Sequence, residues 1–180
     1  PMQDFDLGAI LDSRWMTPDM QFIVGGQGMC LYRPSAITVG QNGYQFLPYA
    51  TPAGATVSDA LLTQSELHLV FEYAGEVHCS QTSINSIKKT FESSQSSLQA
   101  LFVGSRVLPR FEIGEDFQIH PGPSNSVFVQ GSQGSLLHID GDIHIVRWGH
   151  LPELRNPEFV FLGDYALAFD QSQLLLHRSA

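Results

Sequence analysis

The chain has 180 residues, enough for a single domain spanning 1–180 that buries roughly 70% of its unfolded surface without metals or disulfides. Nine basic residues against eighteen acidic give a net charge of −9, which repels phosphate backbones and anionic lipid and so excludes nucleic acid as the expected partner. Only 15% of residues are charged and 43% are hydrophobic, so the surface is finished by Ser, Gln, Asn and Gly or is partly covered by a partner; no apolar run reaches the ~18 residues of a membrane helix.

The first residues show no leader pattern. Asp6-Leu-Gly-Ala-Ile-Leu11 predicts a short helix, with Asp6 as cap ahead of Leu7, Ile10 and Leu11. The period then changes to that of strands. Phe22 to Val24 and Met29 to Tyr32 flank the cluster Gly25-Gly26-Gln27-Gly28, and Ile37 to Val39 and Tyr44 to Leu47 flank Gly40-Gln-Asn-Gly43; both read as hairpins. Pro48 to Ser58 reads as a loop. Glu66 to Tyr73 and Val77 to Ser80 form a third hairpin about Ala74-Gly75.

The principal helical signal covers 83–102, where Ile84, Ile87, Phe91, Leu98 and Leu101 recur at helical spacing behind a Thr82 or Ser83 cap. The gap at Ser93 to Ser97 marks where it would split. Val107 to Ile113 and Phe117 to His120 read as strands around Gly114-Glu-Asp116, with Pro109 suggesting an edge. From Ser126 to Ala180 the pattern predicts a meander of five short strands. Its turns are Asp140-Gly141 (or Gly141-Asp142) and Gly163-Asp164, dipeptides that supply positive φ. Both faces of the pair Leu136 to Val146 are largely apolar, as in a strand pair central to a sandwich or covered by the helix. The fold class is therefore mainly β (α+β by content): an antiparallel β-sandwich or flattened barrel built of hairpins, with one principal helix.

Cys30 and Cys79 are too few for a disulfide scaffold and read as free buried thiols, which favours a reducing, cytoplasmic setting. No motif specifies a reaction. Gly131-Ser-Gln-Gly-Ser135 lacks the nucleophile elbow, Gly26-Gln-Gly28 lacks the third glycine and helix of a dinucleotide loop, and the two lysines, Lys88 and Lys89, sit in no phosphate-binding loop. Cys79 beside His78 is no dyad, because neighbours on a strand point oppositely. Glu72 with Glu76, and Glu115 with Asp116, read as solvated turn flanks.

Seven histidines invite a metal test. A two-residue turn at Ala74-Gly75 pairs Phe71 with His78 and turns His68 to the other face. A two-residue turn within Asp140-Gly-Asp142 likewise separates His138 from His144. One constellation remains, His138-Ile139-Asp140 with His177 on the terminal strand. At those three residues it resembles the facial triad of the iron and 2-oxoglutarate dioxygenases, which would imply a bound iron. Those enzymes set the two halves farther apart and hold their cosubstrate with an arginine beyond the distal histidine, whereas this sequence runs only to Ala180. Asp140 also has its own use as a turn residue, and the turn is the favoured reading.

The functional expectation is thus a non-enzymatic binding or assembly module working through protein–protein contacts, with a protein partner or a second copy and no cofactor. The alternative is a small-ligand or metal-dependent, cupin-like β-barrel enzyme using His138, Asp140 and His177.

Overall fold

The computed structural model describes residues 6–18, 20–33, 45–51, 53–93, 104–109, 111–132, 135–146, 158–171 and 173–178. They form fifteen strands and one short helix, in four antiparallel sheets that stay open; no barrel closes. The mainly β class expected from the alternating pattern is what the backbone adopts, as a sandwich of hairpins. The chain gathers into two compact units, Pro1–Val107 and Leu108–Ala180.

In the first unit, β1 (Ile10–Thr17), β2 (Met20–Gly25), β3 (Gly28–Arg33) and β4 (Gln45–Ala50) form one sheet in chain order. A second sheet, also in chain order, comprises β5 (Thr56–Leu62), β6 (Glu66–Tyr73), β7 (Glu76–Ser83) and β8 (Arg106–Val107). Phe22, Val24, Met29 and Leu31 of the first sheet share a buried core with Val57, Leu62, Leu67, Leu69 and Phe71 of the second. Their spacing is the period of two that puts alternate residues on one face. A bulge between Val57 and Asp59 restores that phase, so that Val57, Ala60 and Leu62 all point inward. The sheets are also tied by polar bonds: the Leu62 N–H donates to Asp12 Oδ2 at 2.7 Å and the Val57 N–H to the Gly26 carbonyl at 3.1 Å.

The Ala74-Gly75 turn is as the sequence predicts. Both residues have positive φ, 53° and 82°, and Phe71 pairs with His78 and His68 with Gln81. Helix α1 (Ile84–Ser93) starts from a Ser83 cap whose Oγ accepts the Ser86 N–H at 3.1 Å, and it buries Ile84 and Ile87 in the shared core. Residues 94–102 of the predicted helix lie outside the described residues.

Three expectations for this unit are corrected or redirected. Asp6 does cap, but it caps a turn: its Oδ1 accepts the Gly8 N–H at 2.8 Å, and Gly8 at φ 69° leads into strand β1 instead of a helix. The strand at Gln45–Ala50 pairs with β3, and the predicted strand at 37–39 lies outside the described residues. The strand after Gly104 is only two residues long, and Phe117–Pro121 pairs with the strand that follows it, so no hairpin forms about Gly114 to Asp116.

Cys30 and Cys79 are free and buried. Burial pushes the Cys30 thiol up to about 12 and raises Cys79 as well, against the opposing charge of Arg106. Alkylation of the native protein at neutral pH is expected to leave both unlabelled, and alkylation in denaturant to label both. Rapid native labelling of either would contradict the burial.

The second unit has a four-stranded sheet, ordered β12-β11-β10-β9, made of β9 (Phe117–Pro121), β10 (Val127–Gly131), β11 (Leu136–Ile139) and β12 (Ile143–Ile145). A three-stranded sheet follows, β13 (Glu158–Leu162), β14 (Tyr165–Phe169) and β15 (Leu174–Arg178). Where the pattern predicts five strands, the described residues after Ser126 form six, divided between two sheets. Strand β11 is buried on both faces, as its apolar pattern implies. Phe128, Leu136 and Val146 of one sheet and Ala166 of the other form a core flanked by Phe159 and Phe161.

Candidate functional site

The largest departure from the sequence reading lies at Asp140-Gly-Asp142. His138 pairs with His144 and Ile139 with Ile143, so the turn has three residues and the two histidines share a face. The third residue is accommodated locally. Gly141 takes φ 114°, and Asp140 Oδ1 accepts both the Asp142 N–H at 3.3 Å and the His144 Nε2–H at 2.9 Å. One added residue reverses every side chain downstream, so the predicted separation of His138 from His144 is wrong.

With this register a continuous row crosses the four-stranded sheet, His120, Phe128, His138 and His144. The rings of Phe128 and His138 stack at 4.7 Å. From the three-stranded sheet Phe161 stacks on His120 at 4.3 Å and on Phe128 at 4.9 Å. Phe161 pairs with Ala166 and Ala166 with His177, so His177 lies in the facing row, close enough to His138 for their charges to interact. The small side chain at Ala166, wholly buried, leaves room for the rings to interdigitate.

His138 is held in one tautomer. The Ser126 hydroxyl donates its only proton to the Pro123 carbonyl at 2.6 Å, so its oxygen accepts the Nε2–H of His138 at 2.8 Å and Nδ1 carries the lone pair of the neutral ring. Gly122 makes this possible, since a Cβ there would lie 2.5 Å from Ser126 Oγ. Burial pushes His138 below the ordinary imidazole value; Asp140 opposes this, while His144 and His177 add to it. Burial also lowers His177. Asp140 is held below the usual carboxylate value by its hydrogen bond from the Asp142 backbone, then by His144.

Asp140, His144 and His177 each interact by charge with His138, and His144 is a neighbour that a two-residue turn had concealed; no direct approach of Asp140 to His177 accompanies this. Among the described residues no group of three His, Cys, Asp or Glu side chains converges as a ligand set. Asp140→Asn preserves the accepting Oδ1, so this exposed change is expected to leave the melting temperature essentially unchanged, as checked by thermal unfolding. In the first unit His68 approaches Glu66 at 3.4 Å, while His78 bonds Ser105 at 3.0 Å, each on its own face of the sheet.

The other face of the three-stranded sheet carries a different signal. Val160, Leu162, Leu174 and Leu176 are 39%, 58%, 65% and 60% exposed, although they alternate with the core-facing Phe159, Phe161, Leu175 and His177. Leu167 and Phe169 join them on β14. A sheet packed on one side ordinarily turns polar residues to water on the other. No protein-family model matches the chain, and no curated protein matches it. No helix among the described residues is long and apolar enough to cross a membrane.

Proposed function

We propose that the chain is a non-enzymatic binding and assembly module whose contact surface is the outer face of the β13–β15 sheet. The observation that supports this is the largely apolar face itself, charged only at Glu158 and Arg178, with Leu162, Leu174 and Leu176 each more than half exposed. Contiguous apolar surface costs free energy in water in proportion to its area, and covering it against a partner recovers that cost. The test uses an environment-sensitive apolar dye on the native protein. Strong fluorescence is expected, and Leu162→Gln with Leu176→Gln is expected to abolish it while cooperative unfolding persists. Native protein that binds no dye would overturn the reading.

A second reading, a metal-dependent site at His138, Asp140 and His177, has in its favour only the closeness of His138 to Asp140, His144 and His177 in charge interaction, since these side chains form no three-ligand set among the described residues. Added iron, manganese or zinc would then raise the melting temperature, and His177→Ala would remove the shift. The binding-module reading expects no shift beyond nonspecific effects.

A further inference from the structure

We propose that the occupant of the β13–β15 outer face is a second copy of this chain, packed face to face about a two-fold axis so that Glu158 of each copy meets Arg178 of the other. The inference rests on the binding-module reading and commits it to one partner. Strand pairing arranges the face as three rows: Glu158, Phe169 and Leu174; Val160, Leu167 and Leu176; Leu162, Tyr165 and Arg178. Seven of these nine residues are apolar or aromatic. The two charges have opposite sign and occupy diagonally opposite corners, while the other diagonal runs Leu162, Leu167, Leu174.

In face-to-face packing of identical sheets the two-fold axis lies in the interface plane, and a residue meets its mirror position across that axis. An axis along the strands sets Glu158 on Leu174 and Arg178 on Leu162. An axis across the strands sets Glu158 on Leu162 and Arg178 on Leu174. Either one leaves both charges against leucine, desolvated and unpaired. An axis along the charged diagonal sets each charge on its own copy. Of these four axes only one near the leucine diagonal brings Glu158 of each copy toward Arg178 of the other. With same-face residues about 6.7 Å apart along a strand and strands about 4.8 Å apart, an axis at about 45° to the strands leaves the two corners about 3 Å out of register, which their long side chains span. That axis also brings Val160 near Tyr165 and Phe169 near Leu176, and it crosses the two sheets at a right angle, one of the two preferred sheet-on-sheet geometries.

Arg178 is already presented at its corner, its guanidinium 5.7 Å from the centre of the Tyr165 ring. Among the described residues nothing pairs with Glu158. Three strands of five residues project about 250 Å², below the ~800 Å² per partner of stable complexes, so the dimer is weak and concentration-dependent.

Sedimentation equilibrium of the full chain over a wide concentration series tests this. The parent is expected to show a reversible monomer–dimer equilibrium. Glu158→Arg and Arg178→Glu alone are each expected to weaken it at least about tenfold, since each then opposes like charges twice. An equimolar mixture of the two variants is expected to restore association, because each chain supplies at both corners the charge the other needs. The double variant Glu158→Arg with Arg178→Glu is expected to dimerise like the parent. Both positions are exposed, so unchanged thermal unfolding of every variant confirms that folding is intact. A parent that binds dye yet stays monomeric at the highest concentration would overturn the second copy while leaving the module reading standing. Single variants that associate like the parent, as pairing through the β13 or β15 edges would allow, or a mixture that fails to associate, would overturn the two-fold geometry.

Discussion

Replacing Phe128 with alanine is expected to destabilise the protein by about 3–5 kcal/mol, among the largest effects of any single core truncation here. Phe128 is wholly buried and lies at the middle of the ring row, stacked on His138 at 4.7 Å and on Phe161 at 4.9 Å. Truncation removes its transfer free energy and leaves a cavity that the stiff strands around it close only in part. It also removes the ring that covers one face of His138, so water reaches an imidazole that the fold keeps neutral. Urea denaturation of the full chain measures the loss. Hydrogen exchange should show it concentrated in β9 to β12, since the chain gathers into two compact units. Leu174→Ala, on the exposed outer face, is the matched control and is expected to cost less than about 1 kcal/mol. Equal losses at the two positions would mean that the ring row is not the core of its unit.

Lowering the pH from 7 to 5 is expected to destabilise the protein progressively, and His138→Phe to reduce that dependence by the share of one histidine. Burial holds His138, His177 and His68 below the ordinary imidazole value of 6.5. The unfolded chain therefore binds more protons than the folded one as pH falls through that value. Stability is full above about pH 6.5 and is lost below it, with a slope of up to about 1.4 kcal/mol per pH unit for each of the buried His138 and His68 and less for the partly exposed His177, which solvent screens. The groups facing His138 are His144 across the strand pair, Asp140 in the turn, His177 on the opposing sheet and Ser126 at its Nε2. None of them is both anionic and inside the stack, so protonation there meets more repulsion and desolvation than attraction. Stability measured by urea titration at several pH values decides it. A parent whose stability is flat from pH 7 to 5 would contradict the assignment.

Much of the chain's architecture is legible in local pattern. Alternation in Leu67 to Phe71 and at Phe22, Val24, Met29 and Leu31 places the inward faces of the first sandwich correctly. The dipeptides Ala74-Gly75 and Gly163-Asp164 form two-residue turns where the pattern puts them, with Gly163 at φ 55°. Ser83 caps the helix it precedes. In each case a dihedral preference or one short-range hydrogen bond decides the outcome, and both are properties of a few consecutive residues. Where two local signals compete, pattern misleads. Asp6 offers a cap to either a helix or a turn, and Gly8 with its positive φ settles the matter for the turn.

By itself, then, the sequence determined that this is a strand-rich chain of hairpins with its turns mostly in place, two buried thiols and one doubly buried strand, β11. Only the tertiary structure decided which histidines meet and which apolar face stays open. The meeting of His138, His144 and His177 depends on a turn one residue longer than the dipeptide rule implies and on a facing sheet whose strands lie some forty residues away in the chain. The open face depends on layer count. Phe161 and Leu162 are equally apolar as letters, yet the first stacks against His120 and Phe128 and the second is 58% exposed, because among the described residues a sheet packs on one side of β13 alone. Burial is set by what lies across the interface, and that is a non-local quantity no window of consecutive residues contains.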